Sequence, residues 1–317
     1  MHILVSVVLV VLFLVAAIVA VLALFTLLIA RRVEKDILPA GRFVDVPGAR
    51  IHLLERGHGP ALLLVHGLTG TLGDFTYGLV DRLATDFKVV AVERPGSGYS
   101  VRAPGASASL PAQAEVLAAL IEKLGLDRPV VVGHSLGGAV ALALAQHSPE
   151  RIAGLALVAP LTHPADVPAA FRGLQIDQPW LRTLIAWTLA TPVGIVKGDE
   201  LLATVFGPEA VPADFVTRAE KRITLRPSHF IAACADLAAV RESLPAIVQG
   251  YGAMRLPVSI LYGRSDRILS PRDQGETLAA ELPGAQLTVI EGGHMLPATA
   301  PDRTAQFIRE AAARARA

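Results

Sequence analysis

Gly133-His134-Ser135-Leu136-Gly137-Gly138 joins a short apolar run, Pro129–Gly133, to a segment of small residues with helical spacing, Leu136–His147. Few folds accept such a junction. A strand that passes straight into a helix through one serine must turn so sharply that side chains on either side would clash, and glycine avoids the clash. The serine at the tip is then held in a strained backbone conformation. Ala139, Ala141, Ala143 and Ala145 let the helix lie close to the layer beneath it. The helix N-terminus also adds unpaired N–H groups and the positive end of a dipole beside the hydroxyl. G-x-S-x-G in a strand–turn–helix setting marks Ser135 as a candidate nucleophile.

The surroundings of this turn predict an alternating α/β chain. Phe43–Val46 and Arg50–Glu55 read as two strands turned by Pro47-Gly48. Ala61–Val65, Lys88–Val92 and Ile152–Val158 are continuous apolar runs, suited to strands buried on both faces. Thr71–Ala84 and Leu110–Leu124 have helical spacing, the second stopped by Gly125. From Leu161 to about Gly250 the alternation lapses into a mostly helical stretch punctuated by prolines. It returns with the strand Val258–Tyr262, the helix Pro271–Glu281, the strand Gln286–Ile290 and the helix Asp302–Arg314. Such alternation predicts a mostly parallel sheet with helices on both faces. Residues 161–250 are then an inserted helical cap, and residues 33–160 and 251–317 form the core domain.

Hydrophobic residues make up 52% of the 317, and the excess lies in the first thirty. Ile3 to Ala30 is apolar except for Ser6 and Thr26. As a helix it would be about 42 Å long, against a hydrocarbon core of about 30 Å. A cleaved signal peptide would have a shorter apolar stretch with basic residues before it. Residues 1–32 are therefore expected to be a retained transmembrane anchor with the bilayer as partner. Arg31, Arg32 and Lys35 follow the run, so the positive-inside tendency places the following domain on the cytoplasmic side. A net charge of +1 with no basic cluster gives nucleic-acid binding no electrostatic support. The single cysteine, Cys234, has no disulfide partner and reads as a small core filler among alanines.

A serine hydroxyl is a weak nucleophile at neutral pH and needs a base, which in turn needs orienting. His294 follows the last strand, behind two glycines that allow its loop to bend back, and is the candidate base. Asp266 follows the preceding strand and is the candidate acid, with Asp166 as a fallback. The order serine, aspartate, histidine fits a sheet of this type. The loop His66-Gly67-Leu68 can supply one backbone N–H to an oxyanion and Leu136 the other. Two such donors are worth roughly 3–4 kcal/mol each in the transition state. His66 reads as a loop organiser, and the turn Glu93–Ser100 as support beside the site. Acyl transfer of this kind implies no metal or organic cofactor.

Five runs, LLLVHGLTG (62–70), ERPGSGYS (93–100), VVVGHSLGGAVALALA (130–145), ILYGRSDRILSP (260–271) and VIEGGHMLP (289–297), resemble in order the α/β-hydrolase superfamily. The resemblance covers about Phe43 to Arg314. It implies an eight-stranded sheet with a helical cap after the sixth strand. It also implies Ser135 as nucleophile, Asp266 as acid, His294 as base, and the main-chain N–H groups of Leu68 and Leu136 as oxyanion hole. Haloalkane dehalogenases and soluble epoxide hydrolases are similar around the RPG-x-G-x-S turn, but they carry an aspartate where this chain has Ser135. Lipases, esterases, carbon–carbon bond hydrolases and some perhydrolases keep the serine. A membrane anchor ahead of such a domain resembles certain monoacylglycerol lipases.

The cap segment is rich in large apolar residues, among them Phe171, Trp180, Trp187 and Phe206. Helices need such faces simply to pack, yet an acyl pocket or a lipid-facing lid would use them too. The expectation is hydrolysis of a lipophilic acyl ester such as a monoacylglycerol. Carbon–carbon or amide hydrolysis on the same triad is the alternative. A non-catalytic membrane-bound binding protein is the reading least favoured by three intact groups.

Overall fold

The structure, a computed structural model, describes residues 2–317. The chain opens with one unbroken helix, α1 (His2–Asp36). Strands β1 (Arg42–Val46), β2 (Ala49–Arg56), β3 (Ala61–Val65), β4 (Lys88–Val92) and the two-residue β5 (Val101–Arg102) follow. Then α2 (Leu110–Lys123), β6 (Val130–His134), α3 (Leu136–His147) and β7 (Gly154–Val158) alternate. The helical insert holds α4 (Pro179–Ile185), a wide π-helical turn at Ala186–Ala190, α5 (Thr191–Phe206) and α6 (Pro227–Gln249). The chain closes with β8 (Val258–Gly263), β9 (Gln286–Ile290) and α7 (Pro301–Arg314).

The eight expected strands form one continuous sheet in the order β1-β2-β4-β3-β6-β7-β8-β9, and β5 adds a short edge pairing to β2. From β4 to β9 every pairing is parallel, while β2 runs antiparallel to β1 and β4. The central strands are buried on both faces, as their continuous apolar runs predict. Leu63 and Val65 of β3 belong to the core on one side, and Leu62 and Leu64 to the core on the other. α3 contributes almost every side chain to the first core and α7 packs into the second, so helices cover both faces.

One expected helix does not form as a unit. Thr71–Ala84 is broken into two single turns, Gly73–Thr76 and Val80–Leu83. Close packing explains the break. A Cβ at Gly78 would lie 2.7 Å from the Pro297 carbonyl oxygen, and one at Gly73 would collide with the Ala219 backbone. The segment follows the surfaces it touches, not its own helical spacing.

Candidate active site

Ser135 sits between β6 and α3 with φ 54° and ψ −123°, a conformation that few side-chain-bearing residues adopt. Backbone bonds hold it there. Its N–H donates to the Val158 carbonyl at 3.1 Å, and its carbonyl accepts from the N–H groups of Gly138 and Leu161 at 2.9 Å each. A Cβ at Gly133 would stand 2.6 Å from the Gly137 carbonyl oxygen and 2.7 Å from the Gly138 Cα. A Cβ at Gly137 would run into the Val65 carbonyl on the neighbouring strand. The flanking glycines are thus required by backbone on every side.

Asp266 and His294 come together from the loops after β8 and β9. His294 Nδ1 and Asp266 Oδ2 are 2.7 Å apart, and the two side chains are 3% and 0% exposed. Asp266 Oδ1 accepts from the N–H groups of Ile268 and Leu269 at 2.8 and 2.9 Å, so three N–H groups converge on one carboxylate. Gly263 lets the two loops touch, because a Cβ there would collide with the carbonyls of Gly292 and Gly293. The insert steadies the histidine loop as well: Glu209 Oε1 accepts the Gly293 N–H at 2.9 Å.

The residue before Ser135 packs against this pair. The His134 and His294 rings are 5.0 Å apart, and His134 Nε2 donates to the His294 carbonyl at 3.1 Å. Burial, with His294 alongside, pushes the His134 imidazole down to about 4, which keeps it neutral under His294 at neutral pH. No hydrogen bond joins the Ser135 hydroxyl directly to the His294 ring. Catalytic contacts of this kind are often long without substrate and tighten when it binds.

The two leucines expected to supply oxyanion donors lie with the serine on one cavity. Leu136 opens α3, where a first-turn N–H has no intrahelical acceptor. Leu68 follows β3, and both leucines line one cavity with Ser135. The Leu68 N–H belongs to the Gly67–Leu68 peptide, and that peptide's oxygen is pinned from behind. Arg94 Nη2 donates to Gly67 O at 2.9 Å and His66 Nδ1 to the same oxygen at 2.8 Å. A planar trans peptide held at its oxygen points its N–H the other way. Arg94 Nε also holds the His66 carbonyl at 3.0 Å, while Nη1 bonds Asp236 of α6 at 2.5 Å and Gln113 of α2 at 2.9 Å. His66 Nε2 accepts the Arg94 N–H at 3.0 Å. Burial and the adjacent guanidinium hold that imidazole well below its usual range, so His66 organises the loop as a neutral ring.

The cavity measures about 180 Å³ and is walled by Phe171, Leu237, Val240, Leu244, Ile268 and Leu269 beside Ser135. Asp166 is exposed at its rim and does not meet His294, which takes Asp266 instead. Cys234 is buried, and burial pushes its thiol up to about 11, which removes it as a nucleophile. Among the described residues, no group of three His, Cys, Asp or Glu side chains is placed to hold a metal. The sequence did not single out His134, Arg94, Asp236 or Glu209. Arg94 and His134 sit inside motifs that it did single out. Asp236 and Glu209 carry no local signal, because their partners are far along the chain.

Comparison with known proteins agrees with this fold. The family described as alpha/beta hydrolase fold matches residues 60–301. An uncharacterized protein of Mycobacterium tuberculosis is 30% identical over 279 residues, 84% of this chain and 79% of that protein. Haloalkane dehalogenase 2 of the same organism is 27% identical over 276 residues, 85% of this chain and 93% of the other. The acetyltransferase component of an acetoin-cleaving system from Cupriavidus necator is 38% identical over 130 residues, and the chain spans only 34% of its length. Among solved structures, a thermophilic esterase from Thermogutta terrifontis superposes with a TM-score of 0.69 at 26% identity, covering 87% of this chain and 99% of that one. A membrane phospholipase A matches with a TM-score of 0.68 at 24% identity over 100% of this chain, α1 included, and 99% of the other.

Proposed function

The chain belongs to the α/β-hydrolase family, and from that premise we propose that it is a membrane-anchored serine hydrolase of lipophilic carboxylic esters. The observation that carries this reading is a strained serine that lines an apolar cavity together with Leu68 and Leu136, in a fold that also pairs His294 with Asp266 at 2.7 Å. Ser135 Oγ attacks the ester carbonyl carbon, and its proton passes to His294 Nε2. The oxyanion is held by the N–H groups of Leu68 and Leu136. Collapse expels the alcohol, which takes the proton from His294, and leaves an acyl-serine. Water then gives a proton to His294 and attacks the acyl carbon, and the acid leaves as the proton returns to Ser135. Asp266 keeps the imidazole in the tautomer and orientation that both steps use.

The nucleophile argues for esters over alkyl halides, despite the likeness to a dehalogenase. A serine that displaced a halide would be left as an ether, which water does not cleave, so the enzyme would stop after one turnover. An acyl-serine is cleaved. The apolar cavity wall and the esterase among the similar structures favour an acyl substrate of low polarity. Carbon–carbon and amide hydrolysis use the same acyl-serine and are the second reading.

The helix α1 is long and apolar enough to cross a membrane. Its attachment favours retention over cleavage as a signal. Glu34 pairs with Arg226 at 2.8 Å, the Tyr99 hydroxyl donates to the Ile37 carbonyl, and Thr26, Ala30 and Val33 are buried against the folded domain. Arg31, Arg32 and Lys35 favour the cytoplasmic face for that domain.

The test is labelling by a fluorophosphonate, together with rates on p-nitrophenyl esters of rising chain length and on a monoacylglycerol. The wild type is expected to label and to turn over the longer esters, and Ser135→Ala to lose both, with at least about a thousandfold drop in kcat. Activity that survives in Ser135→Ala would remove the serine mechanism. Labelling without turnover of any ester would move the substrate to carbon–carbon or amide bonds.

A further inference from the structure

Outside α1, exposed large apolar side chains are gathered in one place. Seven lie between Trp180 and Val196, across α4, the Ala186–Ala190 turn and the start of α5. Among the remaining described residues only Leu38 and Val101 are comparably exposed. Trp180 is 67% exposed and Val196 77%. Arg182 is the one charged residue in this stretch, and Lys197, Asp199 and Glu200 follow it directly. Monomeric soluble proteins rarely leave such a contiguous face bare.

The same segment packs against α1. The Ala186–Ala190 turn, α5 and the short turn Lys221–Leu225 all meet that helix. Every residue from His2 to Val21 is exposed, whereas Leu22, Ala23, Thr26, Leu27, Ala30 and Val33 form a covered stripe at helical spacing. The twenty bare residues of α1 make about 30 Å, the thickness of a hydrocarbon core. Yet the apolar stretch does not stop there: Leu24 and Leu28, on the uncovered side, are 56% and 57% exposed before Arg31. About 12 Å of apolar helix therefore exceeds the core, and the bare face of the insert flanks that excess length.

We propose that the face between Trp180 and Val196 is inserted into the membrane leaflet at which α1 meets the folded domain, so that the enzyme holds the bilayer through a spanning helix and an embedded cap face. This rests on the reading of α1 as a retained anchor. An apolar helix face in the interface sinks roughly 5–10 Å, which would take up most of the excess length of α1. Tryptophans favour that depth, and the chain's two tryptophans, Trp180 and Trp187, both lie on this face. Arg182 is long enough to reach headgroups, and Lys197 begins the polar border. The embedded face and the reaction cavity are two sides of one layer: α6, whose Leu237, Val240 and Leu244 line the cavity, packs on α4 and the Ala186–Ala190 turn. An ester dissolved in the leaflet would thus be held one helix away from Ser135.

The experiment uses the full chain in phosphatidylcholine nanodiscs, with and without bromine on the acyl chains, and reads tryptophan emission. Both tryptophans lie on the proposed face, so the signal reports on it alone. Blue-shifted emission that bromolipid quenches, in wild type and in the single-tryptophan variants Trp180→Phe and Trp187→Phe, is expected. Water-like, unquenched emission from protein that co-floats with lipid would overturn the insertion and leave the anchor standing. Blue-shifted but unquenched emission with two copies per disc would make the face a contact between copies and also overturn it. Failure to co-float would overturn the anchor and the insertion together. Because the readout is optical, a failed ester assignment would not alter it. As a second measure, Trp180→Glu with Val196→Glu should leave hydrolysis of a water-soluble short ester unchanged and slow that of a vesicle-borne long ester. Equal rates on both substrates in this variant would contradict the proposal.

Discussion

Arg94 is 1% exposed and touches no part of the cavity, yet it sets the direction of a group that does. Its guanidinium fork holds the carbonyls of His66 and Gly67 together, and only a planar group with several fixed donors can do that while also meeting Asp236. Lysine carries the charge but not the fork. Arg94→Lys is therefore expected to loosen the Gly67–Leu68 peptide and lower kcat roughly tenfold to a hundredfold, with KM little changed. Arg102 still pairs with Asp236 at 2.5 Å, so the carboxylate is not left bare and the fold should survive. Steady-state rates on one ester, beside a thermal melt, check this. A parallel rise in KM, or a collapse of the melt, would place Arg94 in general packing instead.

At the scale of elements, the β6–α3 junction depends on glycine because backbone, not side chain, surrounds it. A side chain can move aside, but the Gly137 carbonyl and Gly138 Cα near Gly133 belong to the helix that the turn creates. Gly133→Ala is expected to destabilise the protein by about 2–3 kcal/mol and to lower Tm by roughly 3–5 °C. Fluorophosphonate labelling should fall further than the melt does, because the turn that strains Ser135 is the part displaced. An unchanged melt would mean that the junction has slack. Segment Thr71–Ala84 gives the opposite case, where two tight contacts at Gly73 and Gly78 break a helix that the residue pattern favours.

For the whole molecule, acid stability follows from its buried imidazoles. His66, His134 and His229 are at most 3% exposed. Burial lowers all three, with Arg94 adding at His66, His294 at His134 and Lys221 at His229; His134 falls to about 4 and His229 to about 3, against an ordinary 6.5. Between about 4 and 6.5 the unfolded chain therefore binds protons that the folded chain refuses. Stability from these groups is intact above 6.5 and is lost as pH falls below it. His134 alone accounts for about 3 kcal/mol by the time pH has dropped through 4. Urea unfolding midpoints should be flat from pH 7 to 8 and fall steeply from 6 to 4.5. A flat curve across that acid range would mean that the imidazoles gain partners or water on protonation.

Periodicity and turn chemistry are local properties, so alternation, the central buried strands, the apolar N-terminal helix and the serine turn are all legible in the residue pattern alone. The order serine, aspartate, histidine after successive strands is legible as well, because a parallel sheet brings its carboxyl ends to one edge. Other features depend on residues far apart in sequence that touch only once the chain is folded. The pairing of Asp266 rather than Asp166 with His294 needed the loops after β8 and β9 to meet at Gly263. Arg94 and Asp236 lie 142 residues apart, and no local pattern could join them. The bare face of the insert looks like ordinary packing surface in the sequence, since apolar helices usually find a protein partner. Only the folded chain shows that Trp180 to Val196 is left uncovered beside α1, because burial belongs to the assembled layers and not to any one segment.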